Sequence, residues 1–124
     1  MKQSFFIPAT LPGMNEIINA AKSGKGAGNQ YRKMKMVAEL LIFVAAKKSQ
    51  IKPFNGPVHI HYEWVERNKR RDLDNISAAR KFINDILRKM GILAGDGWKH
   101  VQGLSETFQV NKDRPGVIVT IQDV

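Results

Sequence analysis

"PVHIHYEWVERNKRRDLDNISAARKFINDILRKMG", residues 57–91, changes its hydrophobic period at its centre. Residues 57–67 alternate apolar and polar side chains, which predicts a half-buried strand. Its inward-facing side chains are Val58, Ile60, Tyr62 and Trp64. In residues 74–90 apolar side chains recur at spacings of three and four, which predicts an amphipathic helix closed by Gly91. The segment therefore predicts a strand, a charged loop and a helix in succession.

The remaining elements are predicted from shorter patterns. Residues 2–8 resemble a short strand stopped by a proline, and residues 31–48 contain strong helix formers without glycine or proline. Residues 101–110 and 116–122 are expected to be two strands joined as a hairpin. The order β-α-β-α-β-β, without repeat or linker, predicts a single α+β domain over residues 1–124, with helices packed on a mixed sheet.

The helix predicted over residues 31–48 carries an unusually wide apolar surface. Met34, Val37, Leu41 and Val44 form one stripe at helical spacing, and Leu40 and Phe43 widen it. Such a helix is expected to be buried on much of its circumference. A second subunit could cover whatever the chain itself leaves exposed.

Composition limits the possible partners. The 124 residues include 20 Lys and Arg against 11 Asp and Glu, a net charge of +9. This charge favours binding to a polyanion, meaning nucleic acid or an anionic membrane surface. The chain has no cysteine, which excludes disulfides and thiolate metal sites. The longest apolar run, residues 40–46, is too short to cross a bilayer, so we expect a soluble intracellular protein.

Two other segments have ordinary interpretations. Residues 21–30, AKSGKGAGNQ, contain three glycines and two lysines and are expected to form a basic loop. They lack the spacing of a phosphate-binding loop. His59 and His61 lie on one strand face about 7 Å apart, with Glu63 next in line. A metal site is conceivable there, but a polar strand face is favoured because no further ligand is evident.

Asp72 and Asp74 stand directly behind the densest positive charge in the chain, RNKRR at residues 67–71. Aspartates at the start of a helix are often caps, stabilised by the helix dipole. A further aspartate, Asp96, lies between two glycines in a loop after the helix. If this loop doubled back, three carboxylates could converge and would then need divalent cations to offset their repulsion.

The metal interpretation gives the neighbouring charges a role. Aspartate oxygens suit magnesium or manganese, which can activate water for phosphodiester hydrolysis. The cations Arg67, Lys69, Arg70 and Arg71 would hold the DNA backbone beside the metal. The residues alone leave two possibilities open: a metal-dependent nuclease, or a non-catalytic basic nucleic-acid-binding module with helix-capping aspartates.

RRDLDNI at residues 70–76 and GILAGDGWKHV at residues 91–101 resemble the motifs of the RusA-type Holliday junction resolvases. The resemblance covers roughly residues 57–122, and LPGMN at residues 11–15 resembles a segment near the family's amino terminus. It implies an endodeoxyribonuclease that makes paired nicks in four-way DNA junctions. It also implies a homodimer, magnesium as cofactor, and the cytoplasm of a bacterial or phage-infected cell.

Carried over by position, the resemblance makes Asp72, Asp74 and Asp96 the metal-binding catalytic carboxylates. The chain departs from the family at two positions. Gly95 stands where the family usually has the first aspartate of a pair, and Ala78 stands where it commonly has a lysine that contacts the phosphate. Lys81, within the next helical turn, is the candidate substitute for that lysine, and Arg80 beside it is left open as the alternative.

Overall fold

A computed structural model describes residues 1–22 and 27–124. It is an α+β domain with a four-stranded mixed sheet, as the sequence predicts. The elements are, in order, β1 (Lys2–Ile7), α1 (Met14–Lys22), α2 (Ala27–Lys48), β2 (Val58–Glu66), α3 (Leu73–Ser77), α4 (Arg80–Lys89), β3 (Val101–Val110) and β4 (Gly116–Asp123). The helix α1 was not predicted. Of the predicted loop over residues 21–30, both ends are helical and residues 23–26 lie outside the described residues.

The sheet has the strand order β1-β4-β2-β3. β4 runs antiparallel to both β1 and β2, whereas β3 runs parallel to β2. The predicted hairpin of β3 and β4 is therefore wrong, because these strands flank β2 on opposite sides. Central placement suits β2, whose side chains are buried at Val58, Ile60, Tyr62, Trp64 and Val65. β3 keeps Leu104 and Val110 half exposed and forms an edge of the sheet.

The core lies between one face of this sheet and the helices. The side chains predicted to face inward from β2 are buried, and those of the predicted helix 74–90 are largely buried with them. These helical core residues are Ile76, Ala79, Phe82, Ile83, Ile86 and Leu87. Gly91 has φ of +77°, a left-handed conformation that favours glycine, and so confirms the predicted helix cap. The hydrophobic period therefore identified the buried face correctly.

The helix predicted over residues 74–90 is interrupted at Ala78 and Ala79, which separate α3 from α4. The amide of Ala79 donates to Ile76 O at 3.4 Å, and that of Phe82 donates to Ala79 O at 3.1 Å. Both bonds span three residues, so the chain tightens locally into a 3₁₀-type turn. The interruption leaves the short helix α3 at the junction that carries Asp72 and Asp74.

The orientation of α2 differs from the prediction. Its buried side chains are Ala38, Ile42, Ala45 and Ala46, so the helix packs mainly through small residues. Most of the larger side chains of the predicted stripe face outward, with Val37 60 % and Leu40 61 % exposed, whereas Met34 is partly buried. Alanines permit close approach to the neighbouring elements, which explains why this face is the inner one. None of the described helices is long and apolar enough to span a membrane.

Candidate active site

Three loops meet at one end of the sheet, which we call the Asp72 end. They are residues 8–13 after β1, residues 67–72 after β2 and residues 111–115 after β3. The registers Ile7↔Val117 and Glu66↔Val110 place these strand ends side by side. The amide of Asn111 also donates to the carbonyl of Glu66 at 2.8 Å. The carboxyl ends of parallel strands are a common location for ligand sites in α/β sheets.

Asp72 and Asp74 begin α3 with exposed carboxylates. Asp72 occupies the N-cap position, and its carbonyl accepts the amide of Ile76 at 3.1 Å. Its carboxylate makes no capping hydrogen bond. The Asp74 carboxylate accepts only the neighbouring amide of Asn75, at 3.0 Å, among the contacts of the described residues. The side-chain capping that would explain Asp72 in structural terms is therefore not present.

The segment at the start of α1 packs against Asn75 and Arg71, the chain neighbours of these aspartates. The Asn75 side-chain oxygen accepts the amide of Asn15 at 2.9 Å, which connects α3 to the start of α1. Gly13 is close to the same group: a Cβ atom there would lie 2.7 Å from the Asn75 oxygen and 2.9 Å from an Arg71 nitrogen. Residues 11–15 therefore lie on one side of the Asp72 end.

Of the four predicted DNA-contacting residues, Arg71 has its guanidinium engaged within the fold. Its nitrogens donate to both Glu66 carboxylate oxygens at 2.9 and 2.8 Å and to the carbonyl of Leu11 at 3.1 Å. Arg67, Lys69 and Arg70 are exposed, and their side chains have no hydrogen-bond or ion-pair partner in residues 1–22 and 27–124. These three cations remain available for an anionic ligand.

A cleft of about 740 Å³ opens between the basic loop and the end of β3. Lys69, Arg71 and Asp72 contribute charged groups to its lining, while Leu73 and Phe108 contribute apolar surface. The cleft therefore places the Asp72 carboxylate beside both basic and apolar side chains.

Asp96 lies far from Asp72 and Asp74 in the folded chain. Its loop runs into β3, whose first residue Val101 pairs with Val58 at the start of β2. Asp72 follows the opposite end of β2, and a nine-residue strand spans roughly 30 Å. Asp96 pairs instead with Arg88 at 3.3 Å in the last turn of α4. In the described part of the chain no three His, Cys, Asp or Glu residues form a group able to hold a metal.

The doubling back of this loop toward Asp72 and Asp74, which a three-aspartate site would need, does not occur within the chain. The reason is topological. The helices carry the chain from the carboxyl end of β2 back to its amino end, because β3 must start there to run parallel to β2.

The structure does not place Lys81 at the position that a regular helix through Ala78 would give it. Its ammonium group lies 3.2 Å from the carboxylate of Asp85, one turn further along α4, and its side chain is 74 % exposed. Ala78, whose position it was expected to cover, lies in the turn between α3 and α4. Because that turn interrupts the helix, the regular helical offset between the two positions no longer applies.

The two histidines of β2 belong to a hydrogen-bonded polar surface on the open sheet face. His59 and His61 both contact the Ser105 hydroxyl, at 2.8 and 2.6 Å, and His61 also contacts Thr107 at 3.1 Å. Glu63 accepts a hydrogen bond from the side-chain amide of Gln109. These contacts agree with the favoured interpretation of a polar strand face.

Two basic residues at the Asp72 end were not among the predicted site residues. Lys112 and Arg114 lie in the loop after β3 and are exposed. The sequence shows their charge, but only the strand order places them beside residues 67–70. A scan of the sequence against protein-family models finds no match, and a search of curated proteins finds no significant relative.

Proposed function

We propose that this protein is a magnesium-dependent DNA endonuclease that resolves four-way junctions by paired phosphodiester hydrolysis. The observation that carries the proposal is the pair of exposed carboxylates, Asp72 and Asp74, next to three cations of one loop that have no partner among the described residues. The net charge of +9 supports a polyanionic substrate. The resemblance of residues 70–76 and 91–101 to the RusA-type resolvases supports the reaction.

The donor set fits a divalent cation. Carboxylate oxygens are ligands that Mg²⁺ prefers, and those of Asp72 make no competing hydrogen bond within α3. When bound, the metal would supply water activation and stabilise the leaving oxygen. Arg67, Lys69 and Arg70 would hold the phosphate backbone, while Arg71 keeps the loop in place through Glu66.

A site with three aspartates requires a second copy of the chain. Since Asp96 lies at the far end of its own sheet, we propose a homodimer in which Asp96 of one subunit approaches Asp72 and Asp74 of the other. Its partner Arg88 is itself partly exposed, so the ion pair can exchange. The exposed apolar side chains of α2, among them Val37 and Leu40, are the surface that we assign to the dimer contact.

A second candidate is a nucleic-acid-binding module without catalytic activity. It is favoured by the absence of a three-carboxylate group within the described residues. This protein would bind junctions with strong salt dependence, would not require magnesium and would release no product strands.

Incubation of the protein with an end-labelled four-way junction, with and without Mg²⁺, distinguishes the two candidates. We expect paired nicks only with Mg²⁺, and loss of cleavage but retained binding for Asp72→Asn, Asp74→Asn and Asp96→Asn. Asp123→Asn, which removes an exposed carboxylate at the opposite end of the sheet, should cleave normally. Normal cleavage by Asp74→Asn would refute the assignment.

Mixing variants tests the shared site. If Asp96 acts across the dimer, a mixture of Asp74→Asn and Asp96→Asn chains should recover nicking, because each heterodimer contains one intact site. Two inactive proteins that remain inactive after exchange of subunits would contradict the shared arrangement. Subunit exchange itself is checked with differently tagged chains.

A further inference from the structure

We infer that the loop over residues 111–115 is a second phosphate-binding element, in which Lys112 and Arg114 extend the contact surface of residues 67–70. The inference rests on the DNA-binding part of the proposed function and specifies how the DNA backbone is held. Neither residue belongs to the motifs that resemble the resolvases.

The position of this loop follows from the sheet topology. It joins β3 to β4, which flank β2, and therefore crosses over the carboxyl end of β2. The hydrogen bond from Asn111 to Glu66 attaches the loop where the basic segment begins. The two basic loops thus lie at the same end of the sheet.

The loop has dimensions that match a nucleic-acid strand. Neighbouring strands lie about 4.8 Å apart, so a crossing from β3 to β4 covers roughly 10 Å. Phosphates of one DNA strand follow each other at about 3.4 Å along the axis. The crossing is longer than the axial rise between neighbouring phosphates, so Lys112 and Arg114 can contact different ones.

Lys112 and Arg114 are available to bind anions for different reasons. Lys112 is exposed and has no ion-pair partner in the described part of the chain. The guanidinium of Arg114 lies 4.5 Å from the centre of the Phe6 ring, which holds it by a cation–π contact. Stacking uses the flat face of a guanidinium and leaves its edge N–H groups for bidentate contact with a phosphate.

The test compares two double variants that remove the same charge. Lys112→Ala with Arg114→Ala changes the loop, and Lys2→Ala with Lys52→Ala removes two exposed lysines at the opposite end of the sheet. Binding to a four-way junction is measured by fluorescence anisotropy in EDTA over a range of salt concentrations. Far-UV circular dichroism confirms that each variant is folded.

We expect the loop variant to have a shallower dependence of log affinity on log salt concentration. The magnitude of this negative slope should fall by roughly 1.8, since each phosphate contact contributes about 0.9. The control variant should lower it much less. Equal slopes for the two variants would overturn the inference, even if the wild type cleaves junctions. A reduced slope in a protein that never cleaves would support the inference and refute the nuclease proposal. A wild-type chain that does not bind the junction would refute both.

Discussion

Arg71 and Glu66 form a bidentate ion pair that closes the basic loop onto the end of β2. The guanidinium donates through two nitrogens to both carboxylate oxygens, and both side chains are largely shielded from solvent. A third contact, to the carbonyl of Leu11, connects the loop to the segment before α1. Arg71, one residue of the most basic run in the sequence, therefore stabilises the fold of the Asp72 end.

Removal of Arg71 should lower stability more than removal of its neighbour. Arg71→Ala leaves a shielded Glu66 without its charged partner, and hydrogen bonds to charged groups contribute about 1.5 to 3 kcal/mol. We expect a loss of about 2 to 3 kcal/mol in the free energy of unfolding, measured in urea. Arg70→Ala is the matched control, because Arg70 is exposed, and should stay within about 0.5 kcal/mol of wild type. Equal losses for both would contradict the structural role of Arg71.

Gly13 should tolerate no side chain. In Gly13→Ala the new methyl group would meet the Asn75 oxygen at 2.7 Å, so the contact between α1 and α3 must shift. We expect a loss of about 1 to 3 kcal/mol, typical of overpacking, together with reduced junction cleavage. Gly56→Ala is the control, since nothing lies within 4 Å of its added carbon. If both variants match wild type in thermal unfolding and cleavage, the close packing at Gly13 is unimportant.

The apolar surface of α2 should determine the oligomeric state. Leu40 is 61 % exposed, so Leu40→Glu should change the stability of one subunit by no more than about 0.5 kcal/mol. It should nevertheless place a charge in the dimer contact and convert a species of twice 14.0 kDa into the 14.0 kDa monomer. Light scattering at micromolar concentration measures this change.

Leu104→Glu serves as the comparison for that experiment, because Leu104 is a half-exposed leucine on the edge strand β3. If this variant dissociates while Leu40→Glu stays dimeric, the contact lies at β3 instead of α2. A wild-type chain that is monomeric would refute the homodimer altogether.

Tyr62 should make the protein sensitive to alkaline pH. Burial raises the pKa of its hydroxyl well above the ordinary value of about 10. Above pH 10 the unfolded chain releases this proton while the folded chain keeps it. Stability from this group is thus complete below pH 10 and is lost as pH rises beyond it.

Tyr62→Phe isolates this contribution, since phenylalanine cannot ionise. Below pH 9 we expect the variant to be less stable than wild type by about 1 kcal/mol, the value of one hydrogen bond. Between pH 10 and 11 this difference should shrink by about 1 kcal/mol and so nearly vanish, because only the wild type loses stability by keeping the Tyr62 proton in the folded state. Urea unfolding across this pH range provides the measurement, and a constant difference would contradict the effect of burial.

Local periodicity determined much of the fold. Alternation in residues 58–64 identified the inward face of β2, and spacings of three and four identified the buried residues of α3 and α4. These features depend on the repeat of a strand or a helix, which a sequence carries within a few residues. The proximity of Asp72 and Asp74 to the basic loop was equally readable, since neighbours in the chain remain neighbours in space.

Only the tertiary structure decided which distant segments meet. It placed β3 and β4 on opposite sides of β2, turned the alanines of α2 inward and used Arg71 to bind Glu66. It also separated Asp96 from Asp72 by the length of β2 and brought residues 111–115 beside the basic loop. Such pairings depend on how complete elements pack around a shared core, and the periodicity of a single segment contains no information about its neighbours.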